Sequence, residues 1–466
     1  MNHNFQNQWL NKTGYYYTYY GEIFFGVSVQ DPKNDLGLYI VNQNNWLQNT
    51  ISLNFSDLFL GAEYFPNKNV IVDFISYNQG KQIEVKPKPF IHDNQNVNFK
   101  TIYIIGAGAS ANSISMNGPI GKFKEDKFRP PLGNDLFHDN FDSFILKYTG
   151  VRNFARRFTR AGTQQKTIEQ LFEEEWLEIR NKPAMNLHIE HIQVQFYLSE
   201  LFNRISEKMK ENYFKWDLFG HLAENLKANA NRENATCIIS FNYDTLIDNA
   251  LQDVFHFEYN EMSDYINNKN KIILIKPHGS ANWGWPFKFN QTPLQHQLNF
   301  ISELQKNGYS MYRLMHEMLN QHHLNHQSWN LDHNNEPNYV PRYTINRDGI
   351  QLIKNNNPYM PALLMPFKDK DEFIMPSHHQ IKMEAAMASA EEIVIIGWKG
   401  GEFHFNQKLN KKISQLKKIT LVDPKPRDVF LNLAQSLPIL EYEVLTSPSF
   451  NDYIHHPEKI TVYKHT

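Results

Sequence analysis

The 466-residue chain has a single cysteine, Cys237. That shortage excludes an intrachain disulfide and a zinc ribbon held by four thiolates. Neither charge is in excess: 47 basic against 49 acidic residues leave a formal charge of −2. No basic stripe of the kind that follows a nucleic-acid backbone stands out. No apolar run approaches the ~18 residues a membrane helix needs. The opening Met1-Asn2-His3-Asn4-Phe5-Gln6 lacks the charged start and apolar core of a secretory signal. These absences predict a cytoplasmic protein that contacts neither membrane nor nucleic acid. Hydrophobic residues are not scarce, at 41% with 14% aromatic, so there is material for a sizeable core and global disorder is excluded. The abundance of Asn reads as compositional bias.

Residues 1–95 read as a small β-rich module for interaction or oligomer contacts. Tyr15–Gln30 is aromatic and β-branched, with Gly14, Gly21 and Gly26 placed as turns or bulges would be, and Leu38–Val41 and Val70–Ser76 are further extended runs. Lys86-Pro87-Lys88-Pro89 and the polar His92–Asn96 mark a linker. From residue 96 to 466 the pattern changes to short apolar strands separated by helices and long loops, which predicts an α/β domain with a mainly parallel sheet. Its strands are expected at Thr101–Ile105, Cys237–Ser240, Ile272–Ile275, Ile393–Ile396 and Ile419–Val422. Two insertions are expected, a helical one at about 136–230 and a loop-rich one at about 282–360. Within the first, Thr167-Ile168-Glu169-Gln170 has the spacing of a capping box. It precedes an apolar face of Leu171, Phe172, Trp176 and Leu177, with Glu173–Glu175 solvated.

Three strand ends carry residues suited to chemistry. Gly106-Ala107-Gly108-Ala109-Ser110 follows the first strand and, with Ala111, fits G-x-G-x-x-A, in which glycines let main-chain N–H groups approach a pyrophosphate. Gly118-Pro119, Gly121 and Pro130-Pro131 interrupt the next 25 residues, which disfavours a hydride-transferring dehydrogenase. Ser240-Phe241-Asn242-Tyr243-Asp244 and Lys276-Pro277-His278-Gly279-Ser280 end two further strands. Ligands of open α/β sheets bind beyond the carboxyl ends of strands, so Gly106–Ser110, Asn242, Asp244 and His278 are expected to meet in one crevice.

These motifs, together with Pro131-Leu132-Gly133-Asn134-Asp135-Leu136 and taken in this order, resemble the sirtuin-like domain of bacterial NAD-consuming defence proteins. Ile396-Gly397-Trp398 and Leu421-Val422-Asp423-Pro424 are similar to that domain's adenosine-side loops. The resemblance covers roughly Thr101 to Thr446 and implies a Rossmann-type parallel sheet. It implies NAD+ as substrate, held by Gly106, Ala107, Gly108, Ala109, Ser110, Asn134, Asp135, Asp244, Gly397, Trp398 and Asp423. Asn242 and His278 would be the catalytic pair. It further implies NAD+ cleavage to nicotinamide and ADP-ribose, or a cyclised form of it, and from there NAD+ depletion in anti-phage abortive infection. Classical deacylases of that family hold zinc with four cysteines; this chain departs from them, and no metal is expected.

The residue types suit the reaction. Nicotinamide leaves as a neutral ring, so no general acid is required, and the transition state is oxocarbenium-like at the ribose. The Asn242 amide can hold ribose hydroxyls or a water, and His278 can take a proton near neutral pH. Asp244 either orients hydroxyls or stabilises the turn. Rival readings are ADP-ribosyl transfer or deacylation in the same pocket, and an NAD+ or ADP-ribose sensing subunit. Because an unrestrained NAD+ hydrolase would drain its own cell, a homo-oligomer or a complex with a separately encoded regulatory protein is expected to hold it inactive. His322 and His326 have a metal-capable i, i+4 spacing, but no acidic or thiol partner is spaced to complete a site. Lys408, Lys411, Lys412, Lys417 and Lys418 read as the solvated face of an amphipathic helix whose buried side is Leu409, Ile413 and Leu416, with phosphate binding as a remote second reading.

Overall fold

The computed structural model describes the strands between residues 15 and 85 by their backbone. Beyond these it describes, with short gaps, residues 98–162, 167–174, 185–229, 235–267, 271–286, 337–364, 373–434 and 437–463. The chain forms two compact units, Met1–Asn96 with Asp332–Asn335, and Val97–Leu331 with Glu336–Thr466. In the first, β1 (Tyr15–Tyr19), β2 (Glu22–Gln30), β3 (Leu36–Asn42) and β4 (Thr50–Leu53) form an antiparallel meander, and β5 (Phe74–Asn78) and β6 (Lys81–Val85) a hairpin. Gly26 lies within β2, paired with Tyr15 and Ile40, rather than at a turn. Residues 86–97 and 70–73 lie outside the described residues.

The second unit opens with β7 (Phe99–Ile105) and α1 (Ala107–Ala111), then α2 (Ile120–Glu125), α3 (Thr149–Gly162), α4 (Met185–Tyr213) and α5 (Leu218–Asn229). There follow β8 (Ala235–Ser240), α6 (Leu246–Phe255) and β9 (Ile272–Ile275). Five antiparallel strands come next: β10 (Gly279–Pro286), β11 (Asn338–Tyr339), β12 (Arg342–Asn346), β13 (Gly349–Lys354) and β14 (Asn357–Leu363). The chain closes with α7 (Ser377–Ser389), β15 (Glu392–Ile396), α8 (Phe403–Lys412), β16 (Lys418–Val422), α9 (Pro426–Ala434), β17 (Glu443–Ser447), α10 (Phe450–His455) and β18 (Thr461–Val462).

The main sheet has the order β18-β17-β16-β15-β7-β8-β9, parallel throughout except for the edge strand β18. Numbered by appearance, its six parallel strands run 3-2-1-4-5-6, the doubly wound order compatible with a Rossmann-like fold. Each of the five sequence-expected strands lies within one of these. The reason is physical: a parallel sheet covered on both faces needs β-branched residues without alternation. Ile102, Ile104, Ile105, Ile238, Ile275 and Ile396 are all fully buried.

The helical insertion is present as α3, α4 and α5. Thr167 and Gln170 form the reciprocal capping box, each main-chain N–H donating to the other's side chain at 2.9 and 3.2 Å, and Leu171 and Phe172 are buried behind it. Trp176 and Leu177 lie outside the described residues. The stretch expected to be loop-rich instead holds β11 to β14 in its last part. Ile350 and Leu352, two apart in β13, are both fully buried, as residues on one face of a strand are placed to be, and Pro358 and Pro361 disguise β14. The His316–His326 cluster lies outside the described residues.

Candidate active site

The reversal of strand order lies between β7 and β15, and their turns are packed backbone against backbone. Gly106 N–H donates to Ile396 O and Gly108 N–H to Gly397 O, both at 3.0 Å. Gly397 has φ +60°, and a Cβ there would stand 2.1 Å from Ala109 N. A Cβ on Gly106 would stand 2.7 Å from Trp398 Cα. The glycines are thus required by close approach of two strand ends. The Gly106 and Gly108 amides thus donate to β15, and Ala109 N–H donates to Gly106 O. Ala107 is the exposed residue of the turn.

Asn242, one step past β8, reaches across to β7. Its Nδ2 donates to Gly106 O at 3.1 Å and to Ser110 Oγ at 2.8 Å. A carbonyl oxygen can only accept, so the atom facing Gly106 must be the nitrogen, which fixes the amide's polarity. Its Oδ1 is buried and has no partner among the described residues. Ser110 in turn hydrogen-bonds the Asp244 carboxyl, and Asp244 Oδ1 also accepts from Leu246 N at 3.2 Å. Asp244 therefore both holds the turn and orients the hydroxyl that Asn242 uses. Burial raises its pKa, against the opposing effects of Lys276 and the Ser110 hydroxyl.

An aromatic stack joins the strand ends above β7. Phe241, after β8, lies against Trp398, after β15, with ring centroids 5.2 Å apart and planes 9° from parallel. Phe405 stands edge-on to both, and the buried His278 ring is 4.8 Å from Phe241. Trp398, expected on an adenosine-side loop, thus belongs to the same cluster as His278, and its buried Nε1 has no partner among the described residues. Gly279, with φ +76°, lets β10 start at once after His278; a Cβ there would overlap Ala362 O at 2.0 Å. Asp423 ends β16 one strand further on, and its Oδ1 accepts from Lys425 N at 2.8 Å. Asn134 and Asp135 are exposed. Asn134 Oδ1 accepts from Ile168 N at 3.4 Å, which assigns it to the start of the next helical segment, and no described contact joins either residue to Asn242.

The helical insertion grips both motif loops. From α4, Ser199 Oγ and Asn203 Nδ2 both donate to Ala281 O at 2.8 Å, and Ser206 Oγ accepts from Thr245 N at 3.0 Å. The sequence reading missed Lys276 and Asp248. Lys276 is fully buried and donates to Asp244 O at 2.6 Å and to Asp248 Oδ2 at 2.9 Å. A lone lysine directly after an all-apolar strand, and carboxylates at 244 and 248 on one helical face, were the available signals.

A cavity of about 660 Å³ lies elsewhere, between the end of α4, α5 and α6, with Met209, Phe214, Asp217, Leu246, Ala250 and Val254 in its wall. Asp217 accepts from Phe219 N and Gly220 N at the start of α5, and burial pushes its pKa up to about 7. Among the described residues no group of three or more His, Cys, Asp or Glu is placed to hold a metal, and no helix is long and apolar enough to cross a membrane.

No family model matches the chain, and no curated protein does.

Proposed function

We propose that the chain is an NAD+ glycohydrolase on a sirtuin-like domain. The observation that carries this reading is the Asn242 amide: its nitrogen is committed to Gly106 and Ser110, and its buried oxygen, beside the reversal of strand order, has no partner among the described residues. A buried acceptor left unpaired costs roughly 1–3 kcal/mol, and a ribose hydroxyl or a water would remove that cost. Doubly wound sheets bind nucleotides at this place.

In the proposed reaction the C1′–N bond of NAD+ breaks, and its electron pair leaves with nicotinamide as a neutral ring. Positive charge develops at the ribose, and water forms the new C1′–O bond. Asn242 Oδ1 accepts from a ribose hydroxyl or the attacking water, and His278 takes the water's proton. The Phe241–Trp398–Phe405 stack walls the site with apolar rings, which keeps bulk water from the cation. Gly397 and Trp398 line the switch point, and Asp423 stands toward the adenosine side. Control in the cell rests on a stable assembly, either a homo-oligomer or a complex with a separately encoded partner, that keeps the crevice closed until a phage signal arrives.

The test is to incubate pure protein with NAD+ and to follow nicotinamide, ADP-ribose and cyclic product by chromatography, alone and with infected-cell extract. Nicotinamide released without an acceptor supports hydrolysis. Release that requires an acylated or acceptor peptide supports deacylation or ADP-ribosyl transfer, and binding without cleavage in both conditions supports a sensor.

A further inference from the structure

Lys276 sits two residues before His278, and its ammonium bonds the main-chain oxygen of Asp244, two residues after Asn242. One charged group therefore spans the two loops that carry the proposed catalytic pair. Its partner Asp248 is equally buried and accepts from Tyr265 OH at 2.9 Å, so each oxygen of that carboxylate has a donor. The site has no solvent access through these groups: Lys276, Asp248 and Tyr265 are each no more than 1% exposed.

Such a pair is a poor source of stability. Desolvating two ions costs as much as their attraction returns, and apolar residues of similar volume are often neutral or stabilising in their place. Van der Waals packing alone, however, would not fix the distance between the β8 loop and the end of β9. Directional bonds from one ammonium to Asp244 O and Asp248 Oδ2 do fix it, and Ala281 N–H, donating to Tyr243 O at 2.8 Å, closes the same junction from the other side.

We propose that the buried Lys276–Asp248 pair is a positioning device that holds the Asn242 loop in register with His278, with Lys276 as the positioning residue. The proposal deepens the glycohydrolase reading and rests on it for its kinetic arm only.

The obvious variant, Lys276→Met, leaves Asp248 uncompensated and is expected to unfold. The informative one replaces the whole cluster, Lys276→Met with Asp248→Leu and Tyr265→Phe, leaving no orphaned partner on Asp248. Two readouts are taken on the full chain: hydrogen exchange at the Ala281 amide, and nicotinamide release alongside NAD+ affinity. The expected result is a folded protein whose Ala281 amide exchanges at least ~10-fold faster while the sheet core stays protected. Turnover should fall about 10–100-fold with NAD+ affinity within about threefold, as misplacement rather than lost binding demands. If the triple variant does not fold, Lys276→Gln with Asp248→Asn, which removes both charges together and keeps polar groups of similar size, takes its place with the same expectations in smaller measure. Unchanged exchange at Ala281 overturns the proposal whatever the kinetics. Faster exchange with wild-type turnover overturns the link to catalysis. A wild-type protein that releases no nicotinamide either alone or with infected-cell extract overturns the glycohydrolase reading instead, and the exchange arm still decides the positioning role.

Discussion

The crevice at the ends of β7, β8, β9 and β15 and the cavity between α4, α5 and α6 differ in every respect but their polar content. The crevice is tight: glycines touch glycines, rings stack on rings, and Asn242 Oδ1, Ser280 Oγ and Trp398 Nε1 are buried with no hydrogen-bond partner among the described residues. The cavity is roomy, yet its charges are largely satisfied locally. Lys210 pairs with Asp253 at 2.9 Å, His221 stands 3.4 Å from Glu224, and Lys227 donates to Val254 O. Open volume and unpaired buried polar atoms are therefore found in different places when these two regions are compared.

The sharpest way to break this comparison is to disable each region in turn. Asn242→Ala and His278→Ala should each lower nicotinamide release by roughly 10²–10⁴, the usual worth of a positioned acid–base group. Filling the cavity with Ala250→Leu should change it less than about threefold. Equal losses from both would mean the cavity takes part. Next in size is a backbone effect. Gly397→Ala should destabilise the fold by about 1–3 kcal/mol from left-handed strain alone, with the overlap on Ala109 N in addition, read by denaturant unfolding; a neutral outcome would mean the β7–β15 junction is loose.

A third test sharpens the cavity side through pH. Because the folded-state pKa of Asp217 lies near 7, above its unfolded value, the folded chain holds this proton more tightly. Its contribution to stability is complete below pH 4 and is lost as pH rises toward 7. Asp217→Asn keeps the cap on α5 without that loss. The variant should therefore gain stability relative to wild type between pH 4 and 7, by an amount on the order of 1–3 kcal/mol, and stay level above. A pH-independent difference would show that Asp217 titrates normally. The smallest effect belongs to the lysine face of α8, where Lys412 pairs with Glu384 at 3.0 Å near solvent. Lys412→Ala should cost less than about 1 kcal/mol and leave turnover unaltered.

Much of the architecture was legible because it depends on local pattern. Strands buried on both faces must be apolar throughout, so β7, β8, β9, β15 and β16 stand out as runs, and the Thr167–Gln170 cap is encoded within four residues. Leu409, Ile413 and Leu416 are likewise buried, but the helix expected to carry them all ends at Lys412, and Lys418 opens β16. What was not legible depends on distant partners. The antiparallel sheet β10–β14 mixes prolines and asparagines into its strands, and its pairing spans from Gly279 to Leu363. The aromatic stack joins residues 241, 398 and 405, and the ion pair joins 248 to 276. In the site, residue types after strands pointed to Asn242, Ser110 and His278, but the use of the Gly106 and Gly108 amides follows only from the crossing of β7 and β15. Asn134 and Asp135 were placed by motif order, which carries no distance.

The two-residue strand β18 has a consequence for how the domain meets its own copies. Five-residue β17 would otherwise leave an open parallel edge, a template on which another chain could lay a strand. β18 occupies Leu445 and Thr446 in antiparallel fashion and presents only Thr461 and Val462 beyond them. At the far side, β9 is four residues long. A sheet ended in this way cannot be lengthened by more than a few hydrogen bonds in either direction, so runaway strand-by-strand polymerisation through the main sheet is blocked at both margins.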